Sequence, residues 1–568
     1  MHSLKKRIIY LWQIILYSLI CFCISCNTSP DPGSFEKKRP NIIIVMADDL
    51  GFSDLGSYGG EIHTPNLDYL AANGVRMNSF YNTSRCCPSR AALLTGRYPH
   101  QAGIGQMTMD QHQPGYRGTL ATNAVTLAEV LKNAGYNTGM VGKWHVSETE
   151  DLGGEDQLKW LAHQEDHLWF SDPDTYPVAR GFDRFYGNIW GVVDYFDPFA
   201  LVSQEKPVKS VPDDFYYTDA IGDTTVTYIK ELAKQDEPFF LYVAHCAPHW
   251  PLQAPEEVIR KYENTYKAGW KAIRKARYER LINSGIFQGD TAALSEFMFS
   301  DVEWEENNDT IWDSRAMAVH AAMVDVLDQN IGKLISGLEE TGTLENTVIM
   351  FLSDNGASSE RPSVYGPGFD RPGQTRKGET IHYPVQKDIE QLPGSETVYS
   401  GIGPQWANVL NTPFRYWKAR VFEGGITTPF IMHWPEGLKE KGSVNSATAH
   451  IIDIMPTVME LAGAAYPKTY KGQDIAPFMG TSIMPTITGE MPTDTERVLF
   501  WEHFGAAALR KGDWKLVRLD HSSPWELYDL RVDRTEMHNV AENYPERLEE
   551  LQGLWQKMAD STQVFPKP

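Results

Sequence analysis

Short runs of consecutive apolar residues, each ending abruptly in polar ones, recur along the chain. Asn41-Ile42-Ile43-Ile44-Val45-Met46-Ala47 leads into Asp48-Asp49, and Phe239-Phe240-Leu241-Tyr242-Val243-Ala244 leads into His245 and on to His249. Thr347-Val348-Ile349-Met350-Phe351-Leu352 leads into Asp354-Asn355-Gly356, and Gly139-Met140-Val141 into Lys143-Trp144-His145. Apolar runs of this length fit strands buried on both faces of a parallel sheet. Helical patterns alternate with them. Thr64-Pro65 opens one that closes at Gly74, and a longer one from about Ala316 to Gly337 carries Ala321, Val324, Leu327, Ile331, Leu334 and Ile335 on one stripe. Strands alternating with helices predict an α/β fold, a large mostly parallel sheet flanked by helices. Ligands of such sheets bind beyond the carboxyl ends of the strands, so the four polar clusters are expected to converge.

A further helix is expected over Ile451 to Ala465, followed by loop-like chain through Thr493. Strand-like pieces follow at Val498–Trp501, Trp514–Val517 and Glu526–Leu530, then a charged helix from about Tyr544 to Ala559. The expected organisation is a catalytic domain over 39–480 and a smaller C-terminal antiparallel α+β domain over 481–568. Residues 146–235, 250–310 and 357–412 read as long, irregular, aromatic-rich loops that wall a site.

The chain has 568 residues, of which 42% are apolar, so a large core can be buried. Its formal net charge of −22 repels nucleic acid, and an anionic substrate would need cations gathered locally. Lys5-Lys6-Arg7, the apolar run Ile8 to Ile24 and Ser25-Cys26 read as an export signal of lipoprotein type over 1–26. Cys26 would then be the lipidated first residue and 27–38 a flexible tether. An ordinary cleaved signal and an uncleaved anchor are the alternatives. The expected location is periplasmic or cell-surface, with membrane contact only through the lipid or N-terminal anchor. Three of the six cysteines belong to this leader, and Cys86, Cys87 and Cys246 do not make a disulfide framework.

Pro88 suits a first helical position, and Ala91 to Leu94 are good helix formers. Cys86 is therefore expected just before a helix N-terminus, where free N–H groups favour an anion. Asp48, Asp49, Asp354 and Asn355 are oxygen ligands suited to a hard divalent cation, Ca²⁺ or Mg²⁺. Arg90, Lys143, His145 and His249 form a cationic or proton-transferring set, suited to holding an anion and protonating a leaving oxygen. Cys246, inside an apolar run, reads as an inert core thiol.

Cys86-Cys87-Pro88-Ser89-Arg90 followed by Leu94-Thr95-Gly96-Arg97 resembles the formylglycine signature of type I sulfatases, in the alkaline-phosphatase superfamily. Gly135-Tyr136-Asn137-Thr138 leading to Gly142-Lys143-Trp144-His145 resembles their second signature. Asp48-Asp49, Ala247-Pro248-His249, Asp354-Asn355-Gly356 and Glu423-Gly424-Gly425 match in the family's order. Arg85 departs from the small or aliphatic residue usual before the modified position.

The resemblance implies that a separate formylglycine-generating enzyme oxidises Cys86 to 3-oxoalanine, whose hydrate is the nucleophile. It implies a cation held by Asp48, Asp49, Cys86, Asp354 and Asn355, with Asp354 as base. Arg90 and Lys143 would steady residue 86 and the sulfate, and His145 would assist hemiacetal breakdown. His249 and Lys418, the latter matched through Arg415-Tyr416-Trp417-Lys418, would contact the sulfate and protonate the leaving oxygen. The expected substrate is a sulfated glycan rather than a small aryl sulfate, because the loops carry Trp160, Trp169, Tyr186, Trp190, Tyr195, Trp250 and Trp406. The alternatives are a small-substrate arylsulfatase, a phosphodiesterase or phosphonate hydrolase of the same superfamily, and a non-catalytic glycan-binding lipoprotein.

Overall fold

In the computed structural model the apolar runs become the centre of a ten-stranded mixed sheet. Its strands are β1 (Asn41–Ala47), β2 (Val75–Met77), β3 (Asn137–Gly142), β4 (Arg184–Asn188), β5 (Leu201–Ser203), β6 (Lys206–Pro207), β7 (Phe239–Ala244), β8 (Thr347–Ser353), β9 (Phe430–His433) and β10 (Ser443–Asn445). Their spatial order is β10-β2-β9-β8-β1-β7-β3-β4-β5-β6. The structure describes residues 38–564 apart from 150–168, 199, 288–290, 300–301, 369–370, 376, 385–386, 388, 491–493 and 495. The signal and tether readings, and Trp160, lie outside these residues.

The four central strands β8, β1, β7 and β3 are mutually parallel, with Ile44 opposite both Tyr242 and Met350. They are the four strands whose C-terminal ends carry the polar clusters. Alternate side chains of β1 enter two cores. Ile42, Ile44 and Met46 face one, while Ile43, Val45 and Ala47 face the other. The helices divide between the faces accordingly. α1 (Pro65–Ala72), α4 (Tyr217–Leu232), α5 (Trp270–Asn283), α6 (Thr310–Glu340) and α7 (Gly403–Leu410) pack on the second face. α2 (Cys86–Thr95), α3 (Leu127–Asn133), α8 (Ile454–Ala462) and α9 (Pro545–Thr562) pack on the first.

A second sheet of four antiparallel strands follows: β11 (Val498–His503), β12 (Ala506–Lys511), β13 (Trp514–Arg518) and β14 (Glu526–Asp529). Phe500, Leu509, Leu516 and Leu527 of this sheet and Trp555 of α9 belong to the same core as Ile42 and Met46. Apolar packing therefore runs across the change from parallel to antiparallel sheet.

Several local expectations differ from what forms. The stretches read as irregular contain α4, α5 and α7, and β4, β9 and β12 were not expected as strands. α6 is longer than Ala316–Gly337, starting at Thr310. α8 is shorter than 451–465 because Gly463 ends it at φ 61°, a left-handed cap. α2 begins at Cys86 itself, which puts Pro88 in the third helical position and not the first. Proline is tolerated there because N–H groups of the first turn have no intrahelical acceptor to lose. Among the described residues no helix is long and apolar enough to cross a membrane.

Candidate active site

Each central strand delivers its polar cluster to one side of the sheet. Gly142 closes β3 at φ 101°, and a Cβ there would lie 2.0 Å from the Ala244 carbonyl oxygen. Only glycine lets β3 end so close to β7 and send Lys143 inward. The Lys143 N–H then donates to that carbonyl at 2.8 Å, and the His145 N–H donates to Ile189 O at 3.0 Å. Asp49, Ser84, His145, Tyr416 and Ala419, all at this end of the sheet, adopt left-handed φ between 55° and 69°. Strained non-glycine backbone of this kind persists where surrounding contacts over-determine it.

Below the site lies a sealed charge cluster. Arg90 is fully buried, and one of its terminal nitrogens lies 2.7 Å from Asp354 Oδ2 and 3.4 Å from Asp48 Oδ2. Its other terminal nitrogen donates to Lys143 O at 3.0 Å. The Lys143 ammonium pairs with Asp48. Lys418 Nζ lies 2.9 Å from Asp49 Oδ1 and 3.0 Å from Glu360 Oε2. His249 Nδ1 donates to the Trp250 carbonyl at 2.6 Å, so Nε2 carries no proton and faces Asp49 Oδ2 at 3.6 Å.

The charges shift one another. Burial drives the Asp48 carboxyl upward, but Lys143, His249, Arg90 and Lys418 together hold it well below the usual carboxylate range. Asp354 moves oppositely. Burial first, then the neighbouring Asp48 charge, push it up to about 7 against Arg90 and Lys143. Burial lowers His249 to about 4, with Lys418 adding to the effect. Burial also raises the Cys86 thiol to about 12, although Lys418 and Lys143 oppose it. Desolvation is the leading influence on the thiol itself. Cys87 and Cys246 are buried beside Gln106 O and Asn188 Oδ1 and line no cavity among the described ones.

Cys86, His145, His249 and Lys418 line an open cavity of about 250 Å³, together with Arg85, Trp190, Gly191, Trp250, Glu360 and Tyr365. Lys143 and Arg90 lie behind it, fully buried. Ligand atoms of Asp48, Asp49, Cys86 and His249 come within 4.8 Å of one another. Asp354 adjoins them, accepting from the Asp49 N–H at 3.3 Å, and Asn355 Nδ2 donates to Asp49 Oδ1 at 2.6 Å. Asp48 Oδ1 and Asn355 Oδ1 are buried with no hydrogen-bond partner. Orphaned buried acceptors among carboxylates are what a bound hard cation would satisfy, so the residues present fit one.

Sequence reasoning missed Glu360 and Gly191. Glu360 lies in a stretch without periodicity, and nothing in its surroundings along the chain marks it.

The sulfatase family profile matches residues 40–464. The chain belongs to the sulfatase family. It is accordingly a sulfuric ester hydrolase. A second profile, that of the C-terminal region of N-sulphoglucosamine sulphohydrolase, matches residues 414–563. An uncharacterized sulfatase of Schizosaccharomyces pombe is 32% identical over 94% of this chain and 96% of its own. An arylsulfatase of Klebsiella aerogenes is 32% identical over 79% of this chain and 92% of its own. Among solved structures, Ps i-CgsB in complex with k-i-k-neocarrahexaose superposes with a TM-score of 0.63 at 25% identity, covering 92% of this chain and 93% of that one. The sulfatase fold thus extends through the small C-terminal sheet.

Proposed function

We propose that this sulfatase hydrolyses sulfate monoesters of a carbohydrate, with residue 86 acting as formylglycine made from Cys86 by a separate maturation enzyme. The observation that carries the reading is the cavity that opens on Cys86 and Lys418, with Asp48, whose Oδ1 has no hydrogen-bond partner, grouped with Cys86 in the candidate cation site. A Ca²⁺ ion, or Mg²⁺, held by Asp48, Asp49, Asp354, Asn355 and residue 86 would supply positive charge for the nucleophile and the sulfate. The aldehyde hydrate at residue 86 would supply one hydroxyl for attack on sulfur and a second for the later release of sulfate.

The chain's own residues do the rest. Asp354, held by Arg90, takes the proton from the attacking hydroxyl. Lys143 steadies residue 86 from behind, through its pair with Asp48. Lys418, on the cavity wall, holds the sulfate oxygens, and His249 beside it returns a proton to the leaving oxygen once the charge of the bound sulfate favours its protonated form. His145, which lines the same cavity as residue 86, serves aldehyde regeneration.

The solved relative bound to a neocarrahexaose, and a relative from Bacteroides thetaiotaomicron described as an N-acetylglucosamine-6-O-sulfatase, support a sugar substrate. The proposed organisation is a lipoprotein signal over 1–26 with lipid on Cys26, a tether over 27–38, a catalytic domain over 39–480 and a smaller one over 481–568. The enzyme would therefore work outside the cytoplasm.

The test is sulfate release by the protein co-expressed with a formylglycine-generating enzyme, on defined sulfated mono- and oligosaccharides, aryl sulfates and a phosphonate monoester. Release from at least one sugar sulfate supports the reading. Turnover of aryl sulfates or phosphonates alone would replace it.

A further inference from the structure

The residue before the nucleophile position is an arginine, and it faces the cavity. Arg85 Nη2 lies 2.9 Å from Glu360 Oε1, with 18% of the Arg85 side chain and 12% of the Glu360 side chain exposed. Both line the cavity that opens on Cys86. Glu360 is saturated on its far side. Its Oε2 takes Lys418 at 3.0 Å and the Trp250 indole N–H at 2.9 Å. The Trp250 ring stacks on Tyr365 with centroids 6.0 Å apart and planes 16° apart. Tyr365 and Met109, 48% and 52% exposed, stand at the rim.

Resting on the sulfatase reading above, we propose that the Arg85–Glu360 pair is a specificity element that selects a sulfated pyranose by hydrogen-bonding a ring hydroxyl near the sulfate ester. A hydroxyl accepts from a guanidinium and donates to a carboxylate at once, so it bridges an ion pair that has no net charge to offer. A second anionic group would not fit as well, because reaching Arg85 brings it against the Glu360 carboxylate. An aromatic leaving group would cover the pair and return no hydrogen bond, leaving charged groups desolvated. The Tyr365 ring and Met109 suit the C–H faces of a sugar ring, beside the Arg371 guanidinium that also lines the cavity. Glu360 also holds Lys418, so the group that senses the hydroxyl is bonded to the cation expected at the leaving oxygen. The same carboxylate thereby links recognition to the placement of the sulfate-side charge.

The experiment compares kcat/KM for a pyranose monosulfate, its deoxy analogue lacking the hydroxyl beside the sulfated carbon, and 4-nitrophenyl sulfate. The enzymes are the wild type, Arg85→Ala and Arg85→Lys, each checked for formylglycine content and melting temperature. Removing the hydroxyl should cost the wild type about ten- to a hundredfold, the range for a hydrogen bond to a charged group. Arg85→Ala should lower the ratio of sugar sulfate to aryl sulfate turnover at least tenfold and abolish the penalty of the deoxy analogue. Arg85→Lys, which keeps the charge but not the planar fork, should fall between. A wild type indifferent to the missing hydroxyl, or an Arg85→Ala variant that loses sugar and aryl sulfates in equal proportion, overturns the inference. Turnover of 4-nitrophenyl sulfate reports separately on the sulfatase chemistry, so the two readings fail independently.

Discussion

Replacing Gly191 by alanine should disable His145 without touching any charged group of the site. A Cβ built at Gly191 lies 2.4 Å from His145 Cε1 and 2.5 Å from Nε2. Carbon contacts become favourable near about 3.5 Å, so the ring must retreat by about 1 Å. Its backbone is held in place, so the ring can retreat only by swinging into the cavity it lines. His145 is 5% exposed, its φ is 55°, and its N–H is fixed to Ile189 O at 3.0 Å. Overpacking of a filled site costs about 1–3 kcal/mol, which a protein of this size can absorb. A catalytic group misplaced by about 1 Å loses about 10²-fold in rate. The assay is kcat/KM on an aryl sulfate for Gly191→Ala, His145→Ala and the double variant, with melting temperatures and formylglycine content measured alongside. Gly191→Ala should lose about 10²-fold and His145→Ala about 10²- to 10⁴-fold. The double variant should be no slower than His145→Ala, because both changes remove one contribution. A Gly191→Ala enzyme within threefold of wild type would refute the reasoning, as would losses that multiply in the double variant.

Cys86→Ala should abolish sulfate release while shifting the melting temperature by only a few degrees, since only one small sulfur atom is removed; residual turnover after exhaustive purification would exclude residue 86 as the nucleophile. Chelation should inactivate the enzyme and lower its melting temperature, because Asp48, Asp49 and Asp354 would face one another without a shared cation; Ca²⁺ at about 100 times its Kd should restore about 2.7 kcal/mol, read from denaturant curves. Glu423→Ala should destabilise the protein by about 3–5 kcal/mol in guanidinium unfolding. The carboxylate lies 2.8 Å from the buried Lys515, pairs with Arg534 and accepts from Tyr81 OH at 2.9 Å, so its loss leaves two buried cations to share the one carboxylate of Glu536.

The centre of the fold was legible because it is made of runs buried on both faces, such as Ile42–Met46, whose abrupt polar ends mark where side chains leave the sheet. Strands β4 and β9 were not, since Arg184–Asn188 and Phe430–His433 are too short and mixed to show a period. α5 was hidden differently: Trp270–Asn283 carries many lysines and arginines, two of which, Arg274 and Arg277, are buried through partners remote in sequence. The same division holds in the site. Asp48, His249 and Asp354 follow core strands and announce themselves, whereas Lys418 was found through resemblance. Glu360 gains its meaning only from Arg85, Trp250 and Lys418, which the fold alone brings together. The aromatic residues divide as well: Trp250 lines the cavity, but Trp406 packs against Tyr266 and Trp270 in the core.

The most direct test of the account is the mass of the peptide carrying residue 86, taken from enzyme fractions whose sulfate-release activity has been titrated. The account predicts an aldehyde at residue 86 and activity in proportion to the fraction of chains that carry it. Fully active protein whose residue 86 is an unmodified cysteine would contradict it.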